Sequence, residues 1–390
     1  MRTILVTGPG GAGRTTVAAA TALGAARRGR RVLLLTTDRA LPGTWFTGDD
    51  RPVVRHVDSG AHFRAEVLAF QERAAPALAL LGAAPLAGEE LTELPGSDRF
   101  ALLRALGDAA AGDWDLVVAD LPPLPDAVAV LALPEQLRRY LRRLLPRERQ
   151  AARALRPVLA QLAGVPMPAE WLYETAARWD TELAAVQAMT EAPSTTVRLV
   201  AEPGPATAAA LRTARAGLAL HRLAVEPVIA NRLLPTTSPD PWLSGLAAQQ
   251  QAHLKALVEA LEEAPDGAPD GTPDRPRELP HLGRDPRTDD DLALLEPPTA
   301  PTAPAPEWTV EDRRTPDGVL VWRIPLPGAA KPDLGLVRRG DELVLTAGPF
   351  RRVVPLPSAL RRCTVSGAAL DGGVLSVRFA PDPDLWPRTR

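Results

Sequence analysis

The decapeptide TGPGGAGRTT, Thr7 to Thr16, satisfies two glycine-loop patterns at once. Gly8, Gly10 and Gly13 form the G-x-G-x-x-G of a dinucleotide turn, whereas Gly8 to Thr15 form the phosphate loop G-x-x-x-x-G-K-[ST] at every position but one. The exception is Arg14, where the second pattern requires lysine. The flanking residues suit either motif. An apolar run, Thr3 to Thr7, precedes the loop, an alanine-rich run of good helix formers, Thr15 to Arg28, follows it, and a second apolar run, Val32 to Asp38, comes next. Strand, loop, helix, strand is a βαβ unit, the start of an α/β fold with a parallel sheet.

What lies beyond the loop separates the two nucleotide classes. A dinucleotide fold wants an acidic residue at the end of the second strand to hold ribose, and Asp38 is placed for that. The first two strands alone therefore leave both open. Thr15 and Thr16, however, open the helix with hydroxyls, as a phosphate loop requires for magnesium. A third apolar run, Leu116 to Asp120, ends in an aspartate positioned to hold the magnesium's water shell opposite Thr15. Together these favour a P-loop nucleoside triphosphate site, with Gly8, Gly10, Gly11, Ala12, Gly13, Arg14, Thr15 and Thr16 around the phosphates.

The whole chain narrows the function classes. Its 390 residues allow two or three domains, and 45% hydrophobic with 24% charged residues suits a globular protein. A net charge of −2 gives no global pull toward nucleic acid or anionic membrane. Cys363 is the single cysteine, which excludes an internal disulfide framework and a four-thiolate zinc site within one chain and suits a reducing cytoplasm. The longest uncharged stretch, Ala74 to Gly88, is too short for a transmembrane segment and contains Pro76 and Pro85. Lysine occurs twice, at Lys255 and Lys331, against a large excess of arginine, so Arg14 accords with a chain-wide preference.

Further strands are expected at Val197 to Val200 and Val225 to Ala230, and long helical stretches at about 61–106 and 134–189 are too large to be plain crossovers. In the second stretch Leu137, Tyr140, Leu141, Leu144 and Leu145 recur at helical spacing, with Arg138, Arg139, Arg142 and Arg143 on the other side, which predicts a core-facing stripe under a solvated basic face. Ala264 to Asp274, APDGAPDGTPD, reads as a mobile loop, and Glu296 to Glu307 as a proline-rich linker. From 308 to 390 the pattern becomes short alternating runs, Val319 to Ile324, Leu343 to Leu345, Arg351 to Val354 and Val374 to Phe379. Asp317-Gly318, Gly340-Asp341 and Asp371-Gly372 mark turns between them, so a small all-β sandwich is expected.

At this point the chain shows a resemblance to a known family. Gly8 to Thr16, GPGGAGRTT, resembles the deviant phosphate loop GKGGVGKTT of the ArsA family of ATPases, which includes arsenite-pump ATPases and targeting factors for tail-anchored membrane proteins. Thr36-Thr37-Asp38 resembles the start of the first switch, STDPAHS, and Asp120 to Asp126, DLPPLPD, resembles the second, DTAPTGH. Val130 to Glu135, Leu94-Pro95-Gly96 and Asn231 to Pro235, NRLLP, resemble further landmarks in family order, over about residues 1–295. The C-terminal run Val319 to Phe379 is similar to the α-crystallin-like (small heat-shock protein) domain that some members carry. The resemblance implies ATP and magnesium as cofactors, Asp38 as the residue acting on the attacking water, Thr15 and Asp120 at the metal, and Asn231 at the adenine. It also implies a homodimer, or a heterodimer with an ArsA-like paralogue, and a hydrophobic protein client.

The departures are as informative. Pro9 stands where the family's first loop lysine reaches across a dimer, Arg14 where its second pairs with the β- and γ-phosphates, and Leu41 and Asp126 where its switches carry histidine. Phosphoryl transfer depends on positioned positive charge, and one cation brought across an interface is worth about 10³ to 10⁵ in rate. Nucleotide binding with very slow hydrolysis is the expectation. A catalytically dead scaffold is the alternative, and a dinucleotide oxidoreductase a third class without a supporting His, Tyr or Lys constellation. His56, His62, His221, His253 and His281 lack metal-ligand spacing, and arsenite capture would need clustered thiols.

Overall fold

The computed structural model describes residues 1–39, 41–80, 82–145, 170–262, 275–298, 304–305 and 307–386. The repetitive run Ala264 to Asp274, the middle of the second helical stretch (146–169) and most of the linker (299–303 and 306) lie outside the described residues.

Seven parallel strands form the N-terminal sheet: β1 (Arg2–Thr7), β2 (Val32–Thr36), β3 (Val53–His56), β4 (Leu116–Asp120), β5 (Thr195–Ala201), β6 (Ile229–Leu233) and β7 (Arg277–Pro280). Their order is β3-β2-β4-β1-β5-β6-β7. All residues of β2, β4 and β5 are buried, and β1 is buried after Arg2, because helices cover both faces. That burial is why these strands read as unbroken apolar runs. The edge strands β3 and β7 carry charged and exposed residues and so lack that signature. The expected strand from Val225 starts instead at Ile229, with Val225 making only an isolated bridge to Val197. Pro227 has no N–H to give the ladder there.

Helix α1 (Arg14–Arg27) is buried continuously from Val17 to Ala26, and its alanines let it lie close to the sheet. The helical stretches resolve into α2 (Ser59–Leu80), α3 (Ser97–Ala110), α4 (Asp126–Leu144) and α5 (Glu170–Thr190), which pack on one another. α6 (Thr207–Leu220), α7 (Pro241–Glu262) and α8 (Asp289–Leu294) complete the layer. Among the described residues no helix is long and apolar enough to cross a membrane.

The reading of α4 as a solvated basic face needs correction at Arg138 and Arg139. Arg138 donates to Asp180 at 3.0 Å and to Gln187 at 2.7 Å, both on α5, while Arg139 donates to Glu342 at 2.7 Å. Arg142 and Arg143, with side chains 62% and 73% exposed, do face solvent, but so do Tyr140 at 53% and Leu144 at 78%. Periodicity shows that a helix has two faces, but which face meets solvent depends on the partners that tertiary structure brings.

The C-terminal region forms two antiparallel sheets: a three-stranded one of β10 (Leu334–Arg339), β11 (Glu342–Ala347) and β12 (Phe350–Pro355), and a four-stranded one. The latter runs β13 (Cys363–Asp371), β14 (Val374–Pro381), β9 (Val319–Pro325) and β8 (Thr309–Arg313). The predicted turns carry positive φ at Gly318, Gly340 and Gly372. Leu343, Leu345 and Phe350 join Leu211 and Leu218 of α6 in one hydrophobic cluster, so this region is docked on the sheet domain. The Phe350 ring sits against Gly217, where an added Cβ would overlap it. Arg352, nearly buried, holds the Glu135 carboxylate of α4 at 2.9 Å and the Leu220 carbonyl at 2.9 Å.

Under the sheet lies a buried ion pair, Arg198 Nε to Glu226 Oε2 at 2.7 Å, completed by Thr196 on the carboxylate and Thr21 on the guanidinium. Burial pushes the Glu226 carboxyl up, but Arg198, the Thr196 hydroxyl and Arg2 outweigh it and hold it below its ordinary value. With the folded value depressed, the stabilisation is present above the unfolded value and fades as pH falls through the folded one. Arg198→Leu leaves the buried carboxylate with Arg2 as its one cation and should destabilise by about 3 kcal/mol at pH 7, with a smaller loss in acid as Glu226 protonates; thermal melts at neutral and acid pH check this.

Candidate functional site: the glycine loop and the ends of β2 and β4

β1 ends at Thr7 beside Val6, which registers with Asp120 of β4, so the glycine loop leaves the sheet alongside the aspartate. This is the carboxyl end of the parallel strands, where open α/β sheets bind ligands. Gly8 lies against β5, and a Cβ there would overlap the Val200 carbonyl oxygen. Gly11 and Gly13 take φ of 80° and 82°, a conformation that L side chains rarely adopt. Gly13 serves as the N-cap of α1 with no side chain on the helix amides, and the first turn carries no acidic residue. Those uncapped amides form an anion cradle.

The metal candidates converge. Asp120 is 4% exposed, and its Oδ2 accepts from Thr15 Oγ1 at 2.7 Å and from Thr36 Oγ1 at 3.0 Å. Its Oδ1 is buried without a hydrogen-bond partner. Burial pushes the Asp120 carboxyl up, and the Thr15 hydroxyl, the Arg14 charge and the Thr36 hydroxyl offset only part of that. An orphaned carboxylate oxygen beside a threonine hydroxyl fits Mg²⁺, which takes one or two protein oxygens and fills its remaining positions with water and phosphate. Asp38 lies close enough to raise the Asp120 carboxyl, and its backbone N–H donates to Thr36 Oγ1 at 3.0 Å. Asp38, Thr36, Thr15 and Asp120 are thus brought to one place.

Arg14 is turned across the site: its Nη1 donates to the Leu121 carbonyl, one residue beyond Asp120. The strap Leu121–Pro125 is stitched to the loop by three further bonds, from Leu121 N to Val6 O (2.9 Å), Thr7 Oγ1 to Pro122 O (2.8 Å) and Leu124 N to Gly8 O (3.1 Å). Asn231 is buried behind the loop. Its Nδ2 donates to the Ala12 carbonyl at 2.8 Å, while Arg232, at φ 60°, donates to the Gly11 carbonyl at 2.9 Å, so the two clasp the loop from behind. Leu41 packs on the α1-side core, and Asp126 pairs with Arg99 of α3 at 2.8 Å.

With this geometry in place, comparison with known proteins is decisive. The model of the ArsA ATPase family, described as anion-transporting ATPase, matches residues 1–42 and 53–265. The chain belongs to the ArsA ATPase family. The model of the HSP20-like domain found in ArsA proteins matches residues 317–379. An uncharacterised protein of Streptomyces coelicolor is 59% identical over the whole of both chains. A protein of Mycobacterium tuberculosis is 32% identical, covering 99% of this chain and 97% of its own. A putative arsenical pump-driving ATPase of Aquifex aeolicus is 24% identical over 93% of this chain and 95% of its own. Fold and family are thus those implied by the glycine loop and the C-terminal β pattern.

Thr7, Thr36 and Arg232 lie inside the quoted motifs without an assigned role, and Arg99 lies outside them. Thr36 ends β2 with a hydroxyl on Asp120, Thr7 ties the strap, Arg232 clasps the loop, and Arg99 holds Asp126. Thr36 carried a legible signal, a hydroxyl closing a buried apolar strand. The other three depend on contacts between distant segments.

Because its folded value is raised, the Asp120 carboxylate costs stability as pH rises through that value. Asp120→Asn should therefore melt higher than the parent at pH 8 without magnesium or nucleotide, with the gap closing toward pH 4. It should also lose the magnesium dependence of nucleotide affinity. Thermal melts against pH and a titration with and without EDTA check both parts.

Proposed function

We propose that this chain is an ArsA-type ATPase that binds magnesium-ATP in the Gly8–Thr16 loop, hydrolyses it slowly, and uses the bound state to control pairing with a second ArsA-type chain. The observation that carries this reading is the coexistence of an intact anion cradle with a diverted cation. The backbone cradle and the Thr15–Asp120 pair suit a metal nucleotide, while Arg14 is engaged at the Leu121 carbonyl. Backbone and helix terminus support binding; rate depends on placed charge, which Pro9 does not supply. Thr15 and Asp120 would hold the magnesium, which supplies charge neutralisation at the β- and γ-phosphates. Asp38 would orient the attacking water, and Asn231 contributes by fixing the loop.

The partner is a copy of this chain or a paralogue, and the cargo a hydrophobic protein segment. Support for the cargo comes from the helical layer outside the sheet, where Phe70, Phe100, Tyr140, Leu144 and Trp179 are each about half exposed or more. The HSP20-like domain, placed after a linker at 296–307, would shield such a segment. Although the names of several relatives refer to an arsenical pump, Cys363 here is a single thiol buried in the β domain, so metalloid capture by clustered thiols is not part of this function. The lone cysteine fits a cytoplasmic setting.

Phosphate release under single-turnover conditions tests the proposal. The parent should release phosphate slowly, Arg14→Lys should be faster by about tenfold, and adding Pro9→Lys should bring the gain to about 10³-fold. ATP binding with no release in any variant would leave a nucleotide-gated scaffold and contradict the ATPase.

A further inference from the structure

Beside the nucleotide cradle lies a cavity of about 320 Å³ whose walls come from both switch-like segments, Thr37 and Arg39 after β2 and Pro122 after β4. Glu93 and Arg99 face it from the α3 side. Thr37 adjoins Asp38, and Pro122 is two residues past Asp120, so the cavity is walled by the segments that follow the two aspartates at the strand ends. Its two cations come from different elements. Arg39 pairs with Asp58 at 2.8 Å, with side chains 69% and 48% exposed, and Arg99 pairs with Asp126 at 2.8 Å, with side chains 38% and 54% exposed.

We propose that Arg39 and Arg99 are the γ-phosphate-sensing residues of this chain, supplying from within one subunit the positive charge that Pro9 does not. The proposal rests on the nucleotide-binding reading above and deepens it. Ion pairs this exposed contribute little to stability, so exchanging Asp58 or Asp126 for a more highly charged phosphate costs little. A guanidinium offers a planar fork matched to two phosphate oxygens, which an ammonium does not. Arg14, the loop's own cation, is held by the Leu121 carbonyl and is not positioned for this task. Asp126 begins α4, so an Arg99 transferred from Asp126 to phosphate would release the N-terminus of the helix that carries Glu135 and Arg139 to the β domain. ATP, but not ADP, would then be felt at that interface.

The test is calorimetric titration of the full chain with magnesium-ATP and, separately, magnesium-ADP. Arg39→Ala and Arg99→Ala should each weaken ATP by about tenfold and leave ADP within about twofold. Asp58→Asn and Asp126→Asn, which free the two arginines without removing them, should tighten ATP and leave ADP unchanged. Equal losses of ATP and ADP, no loss of either, or weaker ATP binding in both asparagine variants would overturn the assignment. A parent chain that binds ADP but does not prefer ATP would overturn it while leaving the nucleotide site standing; a parent that binds neither would remove the site itself.

Discussion

The carboxylate of Asp120 is the constraint around which the nucleotide end of the molecule is arranged. It is buried at the tip of a strand covered on both faces and shared by two hydroxyls, and one of its oxygens has no partner. A charge in that position costs free energy unless something compensates it. The fold supplies partial compensation from Thr15 on the first turn of α1 and Thr36 at the end of β2, so three elements are tied to one side chain. The remainder of the compensation is what a magnesium nucleotide would provide.

The β domain extends this logic away from the sheet. Its three-stranded sheet is packed into the same hydrophobic cluster as α6, and its charged side chains Arg352 and Glu342 engage α4, the helix that begins at the end of the strap after Asp120. A change at the strap therefore has a continuous physical route to the β domain through one helix. The Leu121–Pro125 strap is itself bonded to the loop at Val6, Thr7, Gly8 and Arg14. Loop, strap, α4 and β domain form a chain of contacts in which each member touches the next.

Much of this was legible in the residues. β1, β2, β4 and β5 announced themselves because burial on both faces demands uninterrupted apolar runs, and the loop because glycine adopts the positive φ at 11 and 13 without the strain a side chain brings. β3, β7, β8, β10 and β13 were missed for the converse reason, since all are edge strands, and such strands, like TVEDR at Thr309–Arg313, carry polar or charged residues on exposed faces. Arg138 and Arg139 of α4 were misjudged because their partners, Asp180 and Glu342, lie some forty and two hundred positions away. Asn231, placed at a base by resemblance, also donates its amide nitrogen to a carbonyl of the loop, a contact no local pattern reveals. Local rules found the cradle; the residues that hold it from outside belong to tertiary structure.

The central claim is that the cradle and Asp120 together form a metal-nucleotide site despite the loss of both lysines. The most direct measurement is titration calorimetry of the full-length chain with ADP, run once with magnesium and once with EDTA. The account predicts one site per chain with micromolar affinity that weakens by tenfold or more, about 1.4 kcal/mol, when magnesium is removed. No heat at millimolar ADP in either condition, or an affinity indifferent to magnesium, would contradict it.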